Sequence, residues 1–240
     1  MTTKQLVSTV ILFSMGALAH AQGSAPADRV SGKAALGYLA TSGNTESTNA
    51  NASFELLYDP ENPWSYSFRL RAVGASTNQQ TTAEAYGFAH KSRYDFSETN
   101  YLFASLDWQK DRFSGYRQQT SEAVGYGRRL INSGRQQLDI EGGIGAKQAT
   151  LATDEDRDEA IARGALDYTF TISDTAAFTQ SVLVEAGSDN TYSESVSKLS
   201  TSVIGNVSLV FSYTIKNNSD VPAGSENRDT FTAIALEYGF

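Results

Sequence analysis

His90 and Ser92 are the first residues of this chain that could do chemistry together. They lie two apart in what reads as a β-strand, so both side chains leave the same face. A serine nucleophile and its general base need that proximity. They also need a third polar group to orient the imidazole. If the Ser97–Asn100 turn joins this strand to the next, the same-face neighbours are Ala104, Leu106 and Trp108, none of which can do so. A polar interruption of an apolar face, or a parity slip through a bulge, is the structural reading of the pair.

Two other stretches invite a chemical reading. Asp154, Asp156 and Asp158 have the opening spacing of a calcium loop, but the sixth position is Glu159 and the twelfth is Ala165. An EF-hand needs Gly and an acid there, so the run reads as a solvated acidic loop, with divalent-ion bridging to lipopolysaccharide as the sharper alternative. Gly142-Gly143-x-Gly145 lies mid-strand with no helix after it, so it is no phosphate loop. Small residues there ease curvature or close packing.

The elements that must position these residues are strands. After residue 30 the chain alternates with period two. Thr232, Ile234, Leu236, Tyr238 and Phe240 share one face, and Phe231, Ala233, Ala235 and Glu237 the other. Val207 to Ile215, Trp64 to Leu70 and Leu138 to Ile144 alternate in the same way. Such a pattern marks a strand with one apolar face. Tight turns are expected at Asp59–Pro63, Ser97–Asn100, Asn132–Gly134, Ser173–Thr175 and Ile204–Asn206. Longer links are expected at Ser42–Ser47, Thr77–Thr82, Arg112–Arg117, Thr150–Glu159, Gly187–Glu194 and Asn217–Asp229. The result is an all-β, antiparallel, up-and-down barrel of about twelve strands, each of roughly ten residues.

Ahead of it, Lys4, the apolar run Leu6–Leu18 and Ala19-His20-Ala21 form a signal peptide with cleavage after Ala21. Residues 1–21 are therefore the signal, 22–30 a short linker and 31–240 the barrel. The chain has no cysteine, which excludes disulfides, thiolate metal sites and a lipidated N-terminus. Its 27 acidic residues outnumber 19 basic ones, which argues against a nucleic-acid partner.

A soluble barrel turns its apolar face inward. The inverted, transmembrane arrangement is favoured by aromatics beside the short turns, among them Tyr58, Trp64, Tyr66, Tyr94, Tyr168 and Phe178, as in an interfacial girdle. It is favoured too by a last strand ending in Leu236, Tyr238 and Phe240, which reads as an assembly signal for the barrel-assembly machinery. By parity the lumen then receives Glu55, Arg69, Arg71, Lys91, Arg93, Asp107, Asp139, Glu141, Lys147, Arg163, Asp167, Glu185 and Glu237. Both signs occur in similar numbers. An internal ion-pair network is the structural reading, because buried charges need partners. A narrow pore for small solutes is the functional alternative.

These strands also carry a resemblance. Gly37-Tyr38 leads into Ser42-Gly43-Asn44-Thr45, and Trp64 follows the Asp59-Pro60 turn. Gly125-Tyr126-Gly127-Arg128-Arg129 comes next. The last hairpin reads Ser212-Tyr213, Asn218-Ser219-Asp220-Val221-Pro222-Ala223-Gly224, Asp229-Thr230 and Tyr238-Gly239-Phe240. From about Ser31 to Phe240 the chain resembles the YdiY-like, salt-induced outer-membrane proteins, which carry domain of unknown function 481. The resemblance implies an outer-membrane barrel linked to salt or osmotic stress or to envelope integrity. It implies no catalytic residues, so a non-enzyme is expected, with a hydrolase of phospholipase type as the lesser alternative. The expected partners are outer-membrane lipid, lipopolysaccharide and the assembly machinery, around a monomer with no cofactor and no metal.

Overall fold

A computed structural model describes residues 30–41, 47–60, 62–78, 80–111, 116–223 and 225–240. The proposed signal peptide, its cleavage site at Ala19 and Ala21, and the linker up to residue 29 lie outside them. Twelve strands close into one antiparallel barrel in which each strand pairs with its sequence neighbours and β1 pairs with β12. They are β1 (Val30–Thr41), β2 (Ser47–Tyr58), β3 (Trp64–Thr77), β4 (Gln80–Asp95), β5 (Asn100–Asp111), β6 (Tyr116–Asn132), β7 (Gln136–Leu151), β8 (Asp156–Ser173), β9 (Ala176–Ala186), β10 (Thr191–Ile204), β11 (Val207–Asn218) and β12 (Arg228–Gly239). Val30, read as linker, already belongs to β1.

The five tight turns fall where the sequence places them. In the last of them Gly205 takes φ +52°, a left-handed conformation that glycine adopts without steric cost. The opposite links are shorter than the sequence suggests. The one after β3 shrinks to two residues, with Asn78 at φ +50°, a conformation Asn tolerates. The acidic run is mostly strand: β7 reaches Leu151 and β8 begins at Asp156, so Asp156, Asp158 and Glu159 are ladder residues. Glu194, expected in a link, belongs to β10. Strands consequently run from 11 residues in β9 to 18 in β8 rather than about ten. Polar outward positions such as Gln118, Thr120, Gln148 and Asp158 obscure the continuation of β6–β8 past the apolar band.

Parity is consistent round the barrel. Leu36, Leu70, Leu102, Ile144, Phe211, Ile234 and Leu236 are exposed on the outer wall. Register places Tyr66 opposite Tyr58, and Trp64 opposite Tyr94, and these rings contact one another at 5.0–6.1 Å. A second set, Tyr38, Tyr86 and Tyr213, is exposed toward the link end. The eight residue steps from Tyr86 to Tyr94 span roughly 20 Å along the barrel axis for a strand tilted about 40°. That is close to the height of a bilayer's apolar band. Both chain ends of the barrel lie at the turn end, where Gly32 and Phe240 exchange backbone hydrogen bonds of 2.8 and 2.9 Å.

Candidate functional site in the lumen

The interior is built by the alternate residues of the same strands, and every lumen charge expected from parity sits on the inward face. One side of the barrel, the five strands β4 to β8, is packed. Gly125, Gly127 and Gly143 face inward, and a Cβ on Gly127 would stand 2.2 Å from the Tyr101 ring. Their missing side chains let Tyr101 and Phe103 lie flat against the wall. The Arg93 guanidinium sits 3.6 Å from the Tyr101 ring centre. Arg93 also donates to Asp95 at 2.6 Å and to Asp139 at 3.2 Å, and Arg129 reaches Asp139 at 3.6 Å. Deeper, Glu141 accepts from Lys91 at 2.7 Å and Tyr101 at 3.2 Å, with Arg163 at 3.5 Å. Packed charges of alternating sign offset part of the cost of burying each one alone.

Toward the link end, side chains cross the lumen. Arg71 of β3 donates to Glu194 of β10 at 3.2 Å, five strands away round the barrel. Glu194 also accepts from the Tyr192 hydroxyl at 2.9 Å and lies 3.8 Å from Lys216. Lys216 of β11 in turn donates to Gln109 of β5 at 3.3 Å, on the diametrically opposite strand. Lys147 pairs with Glu185 at 3.2 Å, and Ser121 donates to Glu185 at 2.8 Å.

Above this layer the link after β11 folds over the mouth. Asp220 pairs with Arg157 of β8, and its carbonyl accepts from the Tyr116 hydroxyl at 2.8 Å. Val221 packs on Tyr116, Ala149 and Leu151. Asn190 donates to Asn218 at 2.8 Å and accepts from the Asp220 backbone N–H at 3.1 Å. Glu159, read from sequence as part of a solvated loop, accepts from the backbone N–H of Asp189 at 3.0 Å.

From this layer toward the turn end runs a cavity of about 640 Å³, lined by Lys33, Glu55, Arg69, Asp107, Asp167 and Glu185, among others. Glu55 bridges Arg69 at 3.2 Å and Lys198 at 3.4 Å, Lys33 pairs with Glu237 at 3.2 Å, and Asp167 accepts from Ser181 at 2.6 Å. Exposure falls along the cavity: the side chains of Lys33 and Arg69 are 55% and 51% accessible, those of Lys147 and Glu185 4% and 3%. The cavity is thus open at the turn end and blind at the link end.

The charges Lys33, Asp95, Arg129, Glu194, Lys198 and Lys216 complete the network without having been singled out in the sequence. For Glu194 the misplaced link hid its parity. For Lys198 and Lys216 the alternation against Leu199 and Ile215 was already visible.

His90 and Ser92 point outward. The imidazole lies against Phe68 at 4.5 Å, with Nε2 3.0 Å from the Ser92 hydroxyl and Nδ1 3.1 Å from the Ser67 carbonyl. The orienting group missing from the β5 side is therefore a β3 backbone carbonyl. The flanking strands pair β4 on both sides through this region. The local backbone N–H groups are thus engaged in sheet ladders and make no oxyanion hole of the kind acyl transfer uses.

Comparison with known proteins agrees with this architecture. A family model described as protein of unknown function, DUF481, matches residues 34–240. The chain belongs to this family. One relative, the uncharacterized protein YdiY of Escherichia coli K12, is 29% identical over 204 residues, 84% of this chain and 80% of its own. Among solved structures, the outer membrane channel of Pseudomonas putida F1 superposes with a TM-score of 0.54 at 9% identity, covering 90% of this chain and 99% of the channel. The NanC porin gives 0.50 at 9% identity over 88% and 97%. At such identities the likeness is one of fold: this DUF481 chain has the closed-barrel fold that those outer-membrane proteins share.

Proposed function

We propose that this protein is a non-enzymatic outer-membrane barrel whose lumen is closed to through-flow at the link end, leaving a cavity that faces the turn end. The observation that carries the reading is the pair of cross-lumen contacts, Arg71–Glu194 and Lys216–Gln109, beneath the mouth covered by Asp220 and Val221. Short turns of bacterial barrels face the periplasm, so the cavity faces the periplasm too. The role we assign is in envelope integrity under salt or osmotic stress, which the family resemblance supports. Export through the Ala19–Ala21 signal, insertion by the barrel-assembly machinery, contact with lipopolysaccharide and a monomeric state belong to the same proposal.

Single-channel recording of refolded protein tests it. Repeated insertions should give no conductance steps. Steps of reproducible size would overturn the closed lumen and establish a narrow solute channel instead, the reading that fits the porin and channel likenesses. Growth of a deletion strain in raised salt tests the stress role, and growth equal to the parent's removes it.

A further inference from the structure

Most charges around the cavity are already matched: Arg69 with Glu55, Arg71 with Glu194, and Lys147 with Glu185. Its blind end is different. Ser105 and Asp107 on β5 face Gln119 and Ser121 on β6, with Asp107 directly opposite Ser121 and Gln119 one inward position along. Among the described residues no hydrogen bond or ion pair reaches the Asp107 carboxylate. Ser105 Oγ, Gln119 Oε1 and Arg163 Nε have no hydrogen-bond partner either. All four residues line the cavity, and Ser105, Gln119 and Arg163 are more than nine-tenths buried, at 8%, 6% and 8% exposure. Unmatched buried polar atoms are rare in folded proteins.

The free groups define the chemistry of an occupant. Asp107 and Gln119 Oε1 want donors, Arg163 Nε wants an acceptor, and the Ser105 hydroxyl takes either. A hydroxyl group donates one hydrogen bond and accepts two, so neighbouring hydroxyls on one small molecule would meet all four. A cation drawn to Asp107 would meet Arg163, Lys91 and Arg71, whose charges already act on that carboxylate, and an anion would meet Asp107 itself. The geometry points to a binding site for a small uncharged polyhydroxyl solute, of monosaccharide size, at the Asp107 end of the cavity, entered from the turn end. A cavity of about 640 Å³ falls within the roughly 300–1,000 Å³ usual for such sites. This inference builds on the closed-lumen reading by giving its cavity a ligand.

The test is calorimetric titration of refolded barrel in micelles with D-glucose, and with gluconate and glucosamine as charged counterparts. Glucose should bind saturably at one site, and more tightly than either charged analogue. Losing a hydrogen bond to a charged group weakens binding about tenfold or more, so Asp107→Leu should do so and Asp107→Asn should fall between. Gln119→Leu, an uncharged change, serves if Asp107→Leu does not fold, with heat-modifiable gel migration as the check on folding. No saturable glucose binding, tighter binding of a charged analogue, or unchanged affinity in folded Asp107 variants would each overturn the site. Micelles expose both ends of the barrel, so conductance steps would refute the closed lumen without touching this result, and missing glucose binding would leave the conductance result standing.

Discussion

Replacing Glu194 by Gln should destabilise the barrel more than any single ion pair at its rim. Glu194 lies between Arg71 at 3.2 Å and Lys216 at 3.8 Å, and the oxygen nearer Lys216 also accepts from Tyr192. Glutamine keeps the shape and loses the charge, leaving two cations near each other in the lumen. Removing one partner of a fully buried pair costs about 3–5 kcal/mol. The Arg71 side chain is 39% accessible from the cavity, and solvent screening there lowers the expectation to about 2–3 kcal/mol. Lys216, whose side chain is 19% accessible, would account for most of it. The assay is reversible urea unfolding in lipid vesicles, followed by tryptophan fluorescence. Adding Lys216→Met to Glu194→Gln should restore part of the loss, because it removes the cation that lost its partner. A Glu194→Gln variant within about 0.5 kcal/mol of wild type, inside the range of an ordinary surface substitution, would refute the cross-lumen network as a stabilising element. A double variant less stable than the single one would refute the role given to Lys216.

Three further outcomes are expected. Gly127→Ala places a methyl against the Tyr101 ring and should cost about 1–3 kcal/mol of overpacking, while the same change at outward Gly164, where a Cβ meets nothing within 4 Å, should be close to neutral in the same unfolding assay. Deleting Phe240 removes its backbone exchange with Gly32 and its ring contacts with Phe54 and Tyr238; the amount of heat-modifiable barrel in outer membranes should fall well beyond the loss of one interfacial side chain, and equal amounts would reduce Phe240 to an anchor. Cysteines introduced into this cysteine-free chain at Asp156 or Ala223 should be labelled on whole cells, and those at Asn62 or Ser133 should not; the reverse pattern would invert the orientation and turn the cavity outward.

The strand count, the up-and-down order, the five tight turns, the facing of the walls and the lumen position of the charges from Glu55 to Glu237 were all readable in the sequence. Strand periodicity is local: a residue's parity settles which wall it faces once one apolar neighbour is placed. The strand ends at the link side were not readable, because β6–β8 continue past the apolar band with polar residues on their outer face, which look like loop. That error turned Glu159 into a solvated acid, and the same kind of misreading at the start of β10 hid Glu194. Nor could the sequence say which charges meet. Arg71 and Glu194 are 123 residues apart, and Lys216 and Gln109 are 107 apart; only closure of the barrel brings their walls within a side chain's reach. The same closure leaves Asp107 without an ion-pair partner among the described residues at the blind end of a cavity. The sequence by itself determined that this chain makes a barrel with a charged interior. Whether that interior is a pore or a closed vessel depends on contacts across the lumen, and those exist only in the tertiary structure.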